Sequence, residues 1–193
     1  MVSLLQTGFS CAVDATHPYA ALASQNLRAA CGRAGVPYFR LRREEIPMPP
    51  GCAPVPDAAA AARYAAARPG NVLLTTGSKE APLFARETAL RGRLFLRMLP
   101  LPDALRACLD AGIPAARICC MQGPFSREMN LALLREWDIR LLVTKESGKA
   151  GGFSEKIEAA REAGAQAVVI RRPPDPDGMD FPALCAALER EIL

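Results

Sequence analysis

Histidine and lysine are scarce in this 193-residue chain: His17 is the only histidine, and four lysines stand against twenty arginines. The seven cysteines, Cys11, Cys31, Cys52, Cys108, Cys119, Cys120 and Cys185, form no C-x-x-C pair, and several lie in apolar runs such as 117–122, RICCMQ. That pattern fits buried free thiols better than a disulfide framework or a zinc site, and no metal is expected. No apolar run is long enough to span a bilayer and no basic-apolar-small leader opens the chain, so a soluble, cytoplasmic protein with no membrane partner is expected. Basic residues nowhere cluster with interleaved aromatics, which argues against nucleic acid. The arginine excess behind the net charge of +4 suits anions held bidentately, or reflects composition alone.

What is present is a regular alternation. Short apolar runs at 11–15, 38–41, 72–75, 94–98, 117–121, 141–144 and 167–170 read as strands, with helix-length segments between most of them. The segments at 57–68, 102–112, 126–138 and 154–164 open on Asp, Pro or Ser, and two close on Gly, as helix ends require. This is βαβ grammar, and it predicts an α/β protein with mostly parallel sheets. Residues 42–57 interrupt it with five prolines and no apolar period. The expected organisation is therefore a partial amino-terminal unit over 1–46, a Pro-rich linker over 47–56 and a complete unit over 57–193, whose last helix packs on either unit. The first unit offers only β-α-β and a helical lead-in over 2–7, too little to protect its sheet edges.

Ligands of open α/β sheets bind beyond the carboxyl ends of the strands, where loops meet helix N-termini. Four loops answer that description: 14–20 DATHPYA, 75–80 TTGSKE, 121–128 MQGPFSRE and 144–152 TKESGKAGG. In the first, Pro18 suits an opening helical turn and Thr16 or His17 falls at its cap, so His17 either faces a cleft or is a solvated loop residue. In the second, Ser78 and Lys79 suit phosphate, or form a plain turn. In the third, Ser126 caps a helix, leaving Gln122 and Gly123 as the ligand signal. The last gathers Lys145, Glu146, Ser147, Lys149 and three glycines; an ordinary Lys-Glu surface pair is one reading of the charges, but the glycines favour a mobile ligand-covering loop.

Taken together and in order, DATHPYA, VPYFRL, LLTTGSKE, QGPFSxExN and VTKESGxxGG resemble the precorrin-6A reductase family of cobalamin biosynthesis, over residues 11 to about 172. The resemblance implies two Rossmann-like domains and NADPH-dependent reduction of a carbon-carbon double bond in precorrin-6A, or in its cobalt-bearing counterpart. It implies Thr76, Gly77, Ser78, Gln122, Gly123, Lys145, Ser147 and Gly148 around the cofactor, and Asp14, His17, Tyr19 and Arg40 toward the macrocycle. His17 and Tyr19 are then the candidate proton donors. Family members begin with a strand, a G-T-x-E type glycine loop and a helix, which are expected to precede Met1. A tetrapyrrole is the implied small-molecule partner, with self-association or hand-over from neighbouring pathway enzymes left open. Two other readings remain: a truncated, non-enzymatic remnant that binds nucleotide or tetrapyrrole, and an α/β transferase acting on a phosphorylated metabolite.

Overall fold

The computed structural model describes residues 1–44, 47–147 and 151–192, the last without its side chain. Eight strands and eight helices alternate along the described chain, separating into two compact units: Met1–Glu45 with Pro173–Leu193, and Ile46–Arg172.

In the larger unit the strands are β3 (Ala53–Val55), β4 (Asn71–Leu74), β5 (Leu94–Met98), β6 (Ile118–Cys120), β7 (Ile139–Lys145) and β8 (Gln166–Ile170). Segments such as NVLL and QAVVI are almost continuously apolar because both faces of a parallel sheet are covered. All six strands pair in parallel, in the order β3-β8-β7-β4-β5-β6. The helices are α3 (Ala58–Ala66), α4 (Ala81–Ala85), α5 (Pro102–Asp110), α6 (Arg127–Glu136) and α7 (Phe153–Glu162). Asp57 caps α3 by accepting from Ala60 N at 2.7 Å, and Ser126 caps α6 by accepting from Met129 N at 3.2 Å. A core of Leu73, Leu134, Leu142, Phe153, Ile157 and Val169 joins α6 and α7 to the sheet. From β4 the chain builds outward through β5 and β6, then returns to the opposite side of β4 as β7. In sheets of this kind ligands bind at the carboxyl ends of the strands where the order reverses, which here falls between β4 and β7.

The smaller unit holds α1 (Val2–Leu5), α2 (Ala21–Ala34) and α8 (Phe181–Ile192) with a parallel pair, β1 (Ala12–Asp14) and β2 (Tyr38–Arg40). Its core cluster is small: Leu5, Ala30 and Cys31, with Leu27, Val36 and Tyr38 packed against them.

The structure departs from the sequence reading at several points. The stretch 47–56 is more than a linker, since it carries β3, an edge strand that pairs with β8. The larger unit ends at Arg172 rather than at 193: residues 173–193 group with the amino-terminal unit, through the Arg40–Asp175 ion pair and the Leu41–Met179 bridge, and α8, which the sequence left free to pack on either unit, goes with them. Helix α2 begins only at Ala21, with Ala20 at its cap and no side-chain cap bond, so neither Thr16 nor His17 caps it and Pro18 lies ahead of its first turn. Helix α7 is entered from Gly152 in the left-handed region rather than from a side-chain cap. All seven cysteines are free, but only Cys31 and Cys108 are buried. No helix among the described residues is long and apolar enough to cross a membrane.

Candidate functional site

At the carboxyl ends of β4, β5 and β6 lies a cavity of about 390 Å³ lined by Thr76, Gly77, Arg97, Gly123, Gly151 and Lys156, with Met98, Leu99, Met121, Pro124 and Phe125 as its apolar wall. Each strand supplies its part through the loop it feeds. Thr75, the first residue after β4, donates from N and Oγ1 to Val143 O, at 2.9 and 3.0 Å, which ties the loop root to β7. The next residue, Thr76, keeps a buried Oγ1 with no partner among the described residues. Gly77 follows at φ 94°, a left-handed backbone that a side chain would strain, so the loop turns away and leaves the cavity open.

The fourth residue of β5, Arg97, is only 5% exposed. Its Nη1 donates to Asn130 Oδ1 at 2.8 Å and its guanidinium lies 4.1 Å from the centre of the Phe125 ring. Asn130 is held in turn by donating from Nδ2 to Ser126 O at 2.7 Å. Among the described residues no carboxylate pairs with Arg97. Burial pushes this guanidinium down to about 10, against the pull of Cys119. Across the cavity, Lys156 Nζ donates to Gly151 O at 2.8 Å. Burial and then the Arg97 charge push Lys156 down to about 8, while Glu155 opposes the shift without forming an ion pair with it. Gly151 must lack a side chain, because a Cβ there would stand 2.4 Å from Ser147 Cβ. Within the cavity lining the two cations bond only to neutral acceptors, while the Glu155 carboxylate beside Lys156 offsets part of their charge. Buried charge that is only partly offset is costly, and an anion in the cavity would relieve that cost.

The smaller unit presents a separate cluster. Asp14 Oδ1 accepts from Thr16 N at 3.0 Å and Oδ2 from Tyr38 Oη at 2.7 Å, while Arg40 Nη1 stands 2.8 Å from Asp14 Oδ1. Burial alone raises the Asp14 carboxyl, but hydrogen bonds from Ser24, Tyr38 and Thr16 outweigh it and hold the group well below the usual carboxylate range. Arg40 also donates to Thr16 Oγ1 at 3.0 Å and to Asp175 at 3.0 Å. Above this network the His17 and Tyr19 rings sit 5.5 Å apart, with His17 Nδ1 accepting from Tyr19 N at 3.4 Å. A groove of about 290 Å³ beside it is lined by Pro18, Ser24, Arg28, Tyr38, Arg40 and Asp175. Among the described residues no group of three or more His, Cys, Asp or Glu could hold a metal ion.

The chain matches the family model described as precorrin-6x reductase CbiJ/CobK over residues 1–189. It belongs to that family. It is 37% identical over 169 residues to the cobalt-precorrin-6A reductase of Priestia megaterium, covering 86% of this chain and 66% of that protein. It is 38% identical over 163 residues to the cobalt-precorrin-6A reductase of Methanothermobacter thermautotrophicus, covering 83% and 54%. The precorrin-6A reductase of Rhodobacter capsulatus is 34% identical over 188 residues, or 96% of this chain and 70% of that one. The chain therefore spans between about half and two thirds of the length of the first two relatives. A solved structure of CobK precorrin-6A reductase superposes with a TM-score of 0.74 at 29% identity, over 99% of this chain and 78% of that one.

Of the positions expected from the CbiJ/CobK resemblance, Thr76, Gly77 and Gly123 line the cavity. Ser147 donates from Oγ to Gly151 O at 3.4 Å, and Lys145 Nζ lies 2.6 Å from Glu80 Oε1. Ser78 and Gln122 flank the cavity loops without lining it. Gly148 lies outside the described residues. Asp14, His17, Tyr19 and Arg40 come together, all within the smaller unit. Arg97 and Lys156 escaped the sequence reading. Arg97 had a visible signal, a lone charge inside the apolar strand LFLRM, whereas Lys156 reads as one more polar residue of a helix.

Proposed function

We propose that this chain serves the NADPH-dependent reduction of one carbon-carbon double bond in precorrin-6A or cobalt-precorrin-6A, giving the 6B product, in the cytoplasm. The observation that carries the reading is the cavity at the sheet's reversal, where two cations and the buried Thr76 hydroxyl face an apolar wall. Cationic floor and apolar wall fit an anionic cofactor or a flat macrocycle rimmed with carboxylates. NADPH, when bound, supplies hydride to one carbon of the double bond, and the protein's part is to orient, to exclude water and to deliver a proton to the other carbon.

In this reading Thr76, Gly77, Ser78, Gln122, Gly123, Lys145, Ser147 and Gly148 surround the cofactor. His17 or Tyr19 delivers the proton, directly or through water. Asp14 and Arg40, bonded to each other and to Thr16, serve the macrocycle by holding the loop that displays His17 and Tyr19.

The test is spectrophotometric. NADPH oxidation is followed with the cobalt-free and the cobalt-bearing tetrapyrrole in turn, with NADH as the comparison and with His17→Asn and Tyr19→Phe variants. Turnover with NADPH well above NADH, reduced at least tenfold in one variant with KM little changed, supports the reading and names the donor. Binding of either ligand with no turnover of any substrate favours the non-enzymatic remnant.

A further inference from the structure

Arg97 and Lys156 are absent from the residues that the resemblance assigns to cofactor or macrocycle. Both lie within one cavity, on β5 and α7. The other cations of this unit that form ion pairs do so with named carboxylates: Arg127 with Glu128 and Glu162, Arg135 with Glu162, Arg140 with Asp138, Lys145 with Glu80 and Arg172 with Glu146. Arg97 and Lys156 have instead a side-chain amide, a ring face and a backbone carbonyl. The guanidinium is fixed on two sides, by Asn130 and by Phe125, so its remaining N–H groups point without rotational freedom. The buried Thr76 Oγ1 adds a hydroxyl from the loop after β4, still without a partner.

We propose that Arg97, Lys156 and Thr76 form a seat for one oxyanion, a phosphate or a carboxylate, with Arg97 as the fixed fork and Lys156 as the movable charge. This deepens the functional reading and rests on it for the source of the anion, which is either the dinucleotide's phosphates or an acidic side chain of the macrocycle. Glu155 is the acidic group beside Lys156; its Oε2 is buried and without a partner. Gly151 O competes for the Lys156 ammonium, and an arriving oxyanion takes its place or shares the remaining protons.

Calorimetric titration of the chain with inorganic pyrophosphate tests the seat, using Lys156→Met and Arg97→Gln. The glutamine keeps an N–H donor for Asn130, and should it fail to fold, the half-buried Lys156 carries the test. Each folded variant is expected to bind pyrophosphate about ten- to a hundredfold more weakly, the effect of losing one charge-assisted hydrogen bond. Displacement of pyrophosphate by NADP⁺ assigns the anion to the cofactor, and displacement by uroporphyrin, a polycarboxylated macrocycle, assigns it to the substrate; either result supports the seat. Undiminished pyrophosphate binding in folded Lys156→Met, or no binding to the unsubstituted chain at millimolar concentration, overturns it. A chain that binds pyrophosphate through these residues yet never oxidises NADPH with a tetrapyrrole would instead sink the proposed function and leave the seat standing.

Discussion

Arg97 Nη1 donates to Asn130 Oδ1 over 2.8 Å, and this neutral amide stands where a buried guanidinium would ordinarily find a carboxylate. The amide faces one way only, because its Nδ2 is spent on Ser126 O at 2.7 Å. Asn130 therefore orients a charge without cancelling it.

Replacing Asn130 by alanine removes the acceptor and leaves a buried donor unpaired. The expected cost is about 1–3 kcal/mol of stability. Because the fork loses its anchor, pyrophosphate affinity should fall as well, even though no charge has been removed. Urea denaturation and calorimetry on the same preparation check both effects. Unchanged affinity in a folded variant would mean that Phe125 alone aligns Arg97.

Lys156 sets stability against binding. Its ammonium titrates at about 8 in the fold against 10.5 for an ordinary lysine, through burial and the nearby Arg97. Between those values the unfolded chain binds more protons than the folded one, so stability rises with pH across about 8 to 10.5. Below pH 8 the fold carries the full penalty. Lys156→Met should therefore raise stability at pH 7, by roughly 1–3 kcal/mol, and flatten the rise. Pyrophosphate affinity of the unsubstituted protein should decline above pH 8 as the ammonium is lost, with Arg97, Glu155 and the Cys119 thiol as the other titrating neighbours. A denaturation series over pH, repeated with pyrophosphate, shows whether the two trends run in opposite directions.

Asp14 carries the opposite sign. Its carboxyl is held well below the usual range, so the stabilisation it provides is complete above the unfolded value near 4 and is lost as pH falls toward its folded value. Asp14→Asn leaves Arg40, 7% exposed, with Asp175 as its remaining carboxylate and removes one acceptor from Tyr38. Breaking a buried pair from one side costs about 3–5 kcal/mol. The smaller unit should lose its near-ultraviolet tyrosine signal earlier in urea and show little further weakening between pH 5 and pH 3, where the unsubstituted protein weakens.

Much of this was legible in residues, for identifiable reasons. Strands β4, β5, β7 and β8 are covered on both faces, so their apolar runs stand out, and the loops that follow β4, β6 and β7 were marked by glycine and polar residues in a fixed order. Strand β3 was hidden because its sequence is Ala-Pro-Val within a proline-rich stretch. An edge strand with a ladder on one side tolerates Pro54 as a central strand could not. The grouping of residues 173–193 depends on contacts such as Arg40 with Asp175, a separation of 135 residues that no local period encodes. Lys156 was invisible for a similar reason, since Arg97, with which it shares the cavity, lies far earlier in the chain, on β5.

The two units should differ in how readily they open. The smaller has a two-stranded parallel sheet and a core cluster of Leu5, Ala30 and Cys31, whereas the larger buries a six-stranded sheet between helices. Two parallel strands are marginal without further cover, and local opening follows the apolar contact that each segment makes. Native-state hydrogen exchange should therefore find the amides of β1 and β2 exchanging well before those of β4 and β7. The informative segment is α8. Its Leu184 and Ala187 are buried, and the run that precedes it is joined to the smaller unit by Asp175 on Arg40 and by Met179 N on Arg40 O at 2.8 Å. Helix α8 should accordingly exchange with β1 and β2, and Asp14→Asn should accelerate all three while leaving β4 and β7 unchanged. Protection of α8 at the level of β7 would show that residues 173–193 take their stability from the larger unit, and the division at Arg172 would have to be redrawn.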